Sequence, residues 1–230
     1  MIEAKDKILG LILEKSVMKQ EVYDNTFYAF EELKEVVKDV CDNYNEELPE
    51  ETDERVCLEY KDRGKFAIEL KVAGDVLVFM MHTNVFDFDP EHPIRKHSYV
   101  KEAPLNSFCG VIFIYNFLAD SFKYGRMEDL GYLVGRIMIN RENHYFVEGK
   151  RQLGFLYNDI ANDILTPLAI RNIVESAILY SIDFDLFLPP LKNIQPICVG
   201  AVEDVIRNSG VAQTGKRLGF KFYHDDDDNN

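Results

Sequence analysis

A glycine followed by two cations occurs twice in this chain. G-K-R-Q-L-G-F at residues 149–155 returns, one residue shorter, as G-K-R-L-G-F at residues 215–220. Glycine lets the backbone approach an anion closely, and the neighbouring lysine and arginine supply charge. The arginine adds a planar fork matched to phosphate or carboxylate oxygens. If both segments open strands, Gly149, Lys150 and Arg151 could lie beside Gly215, Lys216 and Arg217. Four cations would then face one anionic small molecule or the acidic surface of a protein partner. The plainer alternative is a pair of similar turns whose leucine and phenylalanine enter the core while the cations face water. The second copy also completes G-V-A-Q-T-G-K-R at residues 210–217, the nucleotide-binding P-loop template up to its lysine. Arginine stands there in place of the hydroxyl that would hold magnesium, and a helix precedes where a strand should. That match is coincidental.

The densest set of metal-ligand side chains is His82, Asp87, Asp89, His92 and His97, spaced H-x4-D-x-D-x2-H-x4-H. Imidazole and carboxylate suit a divalent transition metal, and an open coordination position would permit hydrolysis. Against this, Pro90 and Pro93 mark turns, where aspartate is favoured for its own hydrogen bonding. Cys109 precedes a glycine at the head of the most apolar run, the ordinary place for a small core residue rather than a nucleophile. Glu142, His144 and Glu148 could form an acid–base group, with His144 and Glu148 on one face of a strand. Tyr115, Phe117, Phe122 and Tyr124 read as core aromatics, because a base-stacking platform comes with a basic groove.

Periodicity predicts the helices and strands that carry these residues. Residues 3–45 contain no proline, and from Tyr23 the spacing 23, 26, 30, 33, 37, 40, 44 alternates three and four. This predicts a long amphipathic helix whose stripe has one polar member, Thr26. Earlier positions of that register, Ser16 and Lys19, are polar, so a break or re-phasing is expected near residues 16–20. The helix either covers its own sheet or pairs with a second copy.

Beyond an acidic connector at residues 48–54, alternation predicts strands at 56–60, 66–72 and 76–81, then a long irregular stretch at 82–107. Residues 108–117 read as a central strand and 118–129 as containing a short helix. A second hairpin, 132–140 with 144–148, leads to a strand at 152–157. Pro167 at a first-turn position opens a helix to 181. A shorter helix at 199–208 and a last strand at 218–223 complete the pattern. The fold class expected is α+β, with a largely antiparallel sheet of about seven or eight strands covered by helices. Its parts would be a long helix within 1–48, a globular unit at 55–224 and a disordered acidic tail at 225–230.

Charge is unevenly spread. The net charge is −14, yet residues 1–54 hold 16 acids and 6 bases, and the tail after His224 adds four aspartates. The body between is neutral, which disfavours nucleic acid as a partner but leaves room for a local basic site. Four scattered cysteines without C-x-x-C, and no secretory signal, suggest reduced thiols in the cytoplasm. The apolar run at 8–13 is too short for a membrane span.

These observations lead to one expectation: a cytoplasmic, non-catalytic interaction or sensory module. Its N-terminal helix would mediate homodimerisation or partner docking, and the two G-K-R turns would engage an anionic ligand or the acidic face of a partner, with no cofactor favoured. The second reading is a metal-dependent hydrolase using the 82–97 loop.

Overall fold

The computed structural model describes residues 2–184. The second G-K-R segment, the expected helix at 199–208, the strand at 218–223 and the acidic tail lie outside the described residues. Helix α1 (Ile2–Leu11) passes through a π-helical segment (Ile12–Ser16) into α2 (Val17–Glu47). A π turn adds a residue and rotates the helix beyond it. The expected re-phasing is therefore present, a few residues earlier than the polar positions suggested.

The sheet is an antiparallel meander. Its strands are β1 (Glu59–Asp62), β2 (Ala67–Val72), β3 (Asp75–Met81), β4 (Phe86–Asp87), β5 (Phe108–Leu118), β6 (Tyr132–Ile139) and β7 (Tyr145–Gly149). Their order is β1-β2-β3-β5-β6-β7, with β4 pairing the start of β5 at Cys109 and Phe108. Helix α2 and helix α5 (Pro167–Ile182) pack on one face, so the class is α+β as expected.

The stripe of α2 is buried from Thr26 through Val40 and shares one core with Ile68, Leu77, Ile112, Ile137 and Val147. Thr26 is the polar exception in that stripe, and it has a steric reason. A Cβ on Gly110 would sit 2.0 Å from the Thr26 Oγ1, so helix and strand touch backbone-close at this one crossing. The hydroxyl does not waste its hydrogen-bonding capacity, because it donates to the Val22 carbonyl at 2.7 Å. Helix α5 starts where the Thr166 hydroxyl accepts from the Ala169 N–H at 3.2 Å, with Pro167 as its first residue.

Two expectations need correction. Val56 belongs to a 3-10 turn (Glu54–Val56), so β1 begins later than the alternation suggested. The strand expected at 152–157 is instead a 3-10 helix (Arg151–Gly154) and a loop. Leu153 is fully buried against Gly149, where a Cβ would come within 2.6 Å of the leucine Cβ. Seating Leu153 over the end of β7 turns the chain back, and an irregular segment covers that sheet edge. Val147 N–H donates to the Tyr157 carbonyl at 2.9 Å and Tyr145 N–H to the Asp163 carbonyl at 3.1 Å.

The stretch at 82–107 contains β4, a 3-10 turn (Pro93–Lys96), helix α3 (Ser98–Glu102) and another 3-10 turn (Pro104–Ser107). It covers part of the sheet face opposite α2. Phe88, Ile94 and Val100 pack there with Cys109, Val111, Met138 and Phe146.

Candidate functional site

The 82–107 layer stops short of the outer faces of β1, β2 and β3. Register places Glu59 opposite Lys71 and Lys61 opposite Glu69, so these four alternate outward while Tyr60, Leu70 and Ile68 turn to the core. Helix α4 (Ala119–Lys123), directly after β5, and the β2–β3 turn close this surface into a cleft of about 800 Å³. Arg55, Lys61, Arg63, Lys71 and Lys123 line it against Glu59, Glu69 and Asp120, with Val76, Leu118 and Phe122 as its apolar wall. Lys71 bonds Glu59, and Arg63 bonds the nearly buried Glu69 at 2.7 Å. Arg55 grips Asp53 outside the cleft and holds that carboxyl well below the usual carboxylate range. Lys61 and Lys123 form no ion pair among the described residues; the ammonium of Lys123 lies 5.2 Å from the Tyr124 ring. Ala73, in the β2–β3 turn, holds a left-handed φ of 50°.

The first G-K-R segment lies at the opposite end of the sheet, leaving β7. Arg151 has φ 48° and donates from Nη1 to Asp183 Oδ2 at 3.1 Å, just past the end of α5. Its guanidinium also lies over the Tyr180 ring at 5.6 Å. Lys150 is exposed. In this copy the arginine fastens a helix end, and the glycine makes room for Leu153.

The five side chains of the 82–97 loop are each engaged by other groups of the protein. His82 Nδ1 accepts from the Asn84 N–H at 3.0 Å, and Asp89 accepts from the Glu91 N–H at 2.8 Å. Asp87 accepts from the Ser107 hydroxyl at 2.7 Å and pairs with Arg95. His97 Nδ1 accepts from the Tyr99 N–H at 3.4 Å as a helix cap. His92 Nδ1 accepts from the Ile94 N–H at 3.3 Å, so Nε2 carries the proton it shares with Glu148 Oε1 at 3.0 Å. No group of three or more His, Cys, Asp or Glu among the described residues is placed to hold a metal ion.

The acid–base trio is likewise divided. Glu148 receives His92 on one oxygen and Arg136 Nε on the other at 2.6 Å, tying the 82–107 layer to the sheet. Glu142 accepts from the Tyr99 hydroxyl at 2.6 Å and from Asn106 at 3.2 Å. Burial first, and then this carboxylate, push the Tyr99 phenol well above its ordinary pKa. His144 donates from Nδ1 to the Ile160 carbonyl at 2.8 Å and stacks on Tyr99, with ring centres 4.9 Å apart. Cys109 is buried, and desolvation raises its thiol far above the ordinary value, which removes the thiolate a nucleophile needs. Each side chain of the trio holds two segments together.

Among the described residues, an exposed apolar surface runs along α1, the π segment and the start of α2. Ile8, Leu9, Leu11, Ile12, Leu13 and Val17 are 46–70% exposed, and α2 first reaches the core at Met18. Residues 1–17 carry three acids and three lysines, whereas 18–54 carry 13 acids and three lysines. No helix among the described residues is long and apolar enough to cross a membrane.

Sequence reasoning missed the cleft. Its signal was present as acid–base alternation in β1 and β2, but the wall supplied by α4 is a tertiary contact that no local pattern encodes. No family model, curated protein or solved structure matches this chain, so what it does must be argued from this geometry.

Proposed function

We propose that the protein is a non-catalytic interaction module that assembles with a second copy of itself through α1 and the π segment. One observation carries this reading: five aliphatic side chains of α1 and the π segment, joined by Val17 at the start of α2, stand exposed on a helix that projects beyond its own core. A helix apolar around most of its circumference is normally covered. The charge pattern favours self-association here. The projecting segment is balanced between acids and lysines, so two copies can meet without the repulsion that the acidic α2 would impose. The allocation of Glu142, His144, Glu148 and the 82–97 side chains to fastening contacts supports the absence of a catalytic role. Cys41, Cys57 and Cys109 are free, as a reducing cytoplasm leaves them.

The strength of such an assembly can be bounded. Full burial of a leucine or isoleucine is worth about 1.5–3 kcal/mol, and these side chains are about half exposed. Ile8, Leu9, Ile12 and Leu13 from two copies therefore contribute about 6–12 kcal/mol gross. The association cost of about 4–15 kcal/mol is of the same size, so the assembly expected is weak and concentration-dependent at best. Light scattering across a concentration series tests this. The wild type rises towards twice the monomer mass, and Leu9→Asp/Leu13→Asp stays monomeric with an unchanged circular dichroism spectrum. A wild type that remains monomeric into the millimolar range, or a variant that dimerises equally well, refutes the reading.

A further inference from the structure

We infer that the cleft over β1–β3 and α4 is a binding site for an amphiphilic organic anion, drawn by Lys61 and Lys123, the lysines of its lining without ion pairs among the described residues, with its apolar body on Phe122, Val76 and Leu118. The sign of the ligand's charge is set by how the lining charges are already used. Glu59 and Glu69 are held by Lys71 and Arg63, so a cation entering here would have to displace a bonded lysine or arginine. An anion needs no such exchange, because Lys61 and Lys123 have no ion pair among the described residues. Asp120, on the rim at the start of α4, is a lining acid outside these two pairs, and two lysines outweigh it. The cleft lining as a whole carries five basic and three acidic side chains, in a chain of net charge −14.

The apolar half of the ligand is dictated by the wall. Phe122, on a five-residue helix, is 40% exposed and lines the cleft, and its ring meets Phe117 edge-on at 5.4 Å. The turn opposite keeps an alanine, Ala73, in a left-handed conformation that glycine adopts without strain. Ala73 and Gly74 form the two-residue turn between Val72 and Asp75, where such a conformation is usual, and the Ala73 methyl lies on the cleft lining. The volume lies within the range of small-molecule sites, although this lining is richer in charge than most, with eight charged residues among fifteen. The site is independent of α1 and does not rest on self-association.

Calorimetric titration of the full chain with octanoate, octanol, octylammonium and inorganic phosphate tests the assignment. Octanoate binds saturably, and the other three bind about tenfold more weakly or not at all. Lys61→Glu/Lys123→Glu lowers octanoate affinity about tenfold or more, and Phe122→Ala weakens it too. Lys150→Ala/Arg151→Ala and Leu9→Asp/Leu13→Asp leave it unchanged. Equal affinity for octanol overturns the charged end, and equal affinity for phosphate overturns the apolar body. No saturable octanoate binding, no response to the charge reversal, or loss of binding in the α1 variant overturns the site itself.

Discussion

Gly110→Ala tests the contact that sets helix α2 against the sheet. A Cβ at this position would lie 2.0 Å from the Thr26 Oγ1, 2.8 Å from its Cβ and 2.9 Å from its Cγ2. Ordinary contacts between such atoms start near about 3.5 Å, so helix and strand must separate by more than an ångström or Thr26 must leave its rotamer. Neither movement is free, because Thr26 is buried and its neighbours Val22 and Phe30 are fully enclosed. Overpacking of this kind costs about 1–3 kcal/mol, and an overlap this deep belongs at the upper end. Thr26→Ala alone removes a methyl and a hydroxyl and improves helix propensity, so it stays within about 1 kcal/mol of the wild type. In the double variant the 2.0 and 2.9 Å contacts vanish and only the Cβ–Cβ approach of 2.8 Å persists. The cycle should therefore show a favourable coupling of about 1–2 kcal/mol between the two substitutions. Urea unfolding of the four proteins, followed by far-ultraviolet circular dichroism, measures it. Additive effects, or a stable Gly110→Ala single variant, would show that α2 does not approach β5 at this point.

Two further outcomes are expected. Glu148→Gln weakens the link from His92 and Arg136, so amide exchange across Pro93–Lys96 and α3 accelerates while the α2 core keeps its protection; equal acceleration everywhere would contradict a local tether. Burial, aided by Asp163 and Tyr157, pushes the Tyr145 phenol up to about 12, so the fold favours its neutral form. That stability is intact below the unfolded phenol pKa of about 10 and is lost as pH rises from there towards the folded value. Tyr145→Phe should flatten the loss of stability over that alkaline window, and an unchanged slope would count against burial as the cause.

The fold was legible wherever burial imposed a period on the chain. The α2 stripe, the β2–β3 hairpin and the hairpin of β6 and β7 each bury one face, and alternation or three–four spacing reports that directly. Thr26 shows how local anomalies can be paired contacts. A polar residue in an apolar stripe and a glycine in the most apolar strand each looked like an exception, and each is explained by the other. The failure at 152–157 has the opposite cause. Leu153, Phe155 and Tyr157 alternate like a strand, but Gly149 and Gly154 allow a backbone approach that turns the chain, which periodicity cannot see.

The candidate site was less legible for a related reason. The G-K-R segment was conspicuous in sequence, yet the charge of Arg151 is consumed by Asp183, 32 residues away. Lys61 and Lys123 were inconspicuous, and they are without ion pairs among the described residues. Availability of a charge is a property of its tertiary neighbours. A cationic motif in sequence therefore marks a place where an acid will be found, and whether that acid belongs to a ligand or to the protein's own helix end is settled by packing.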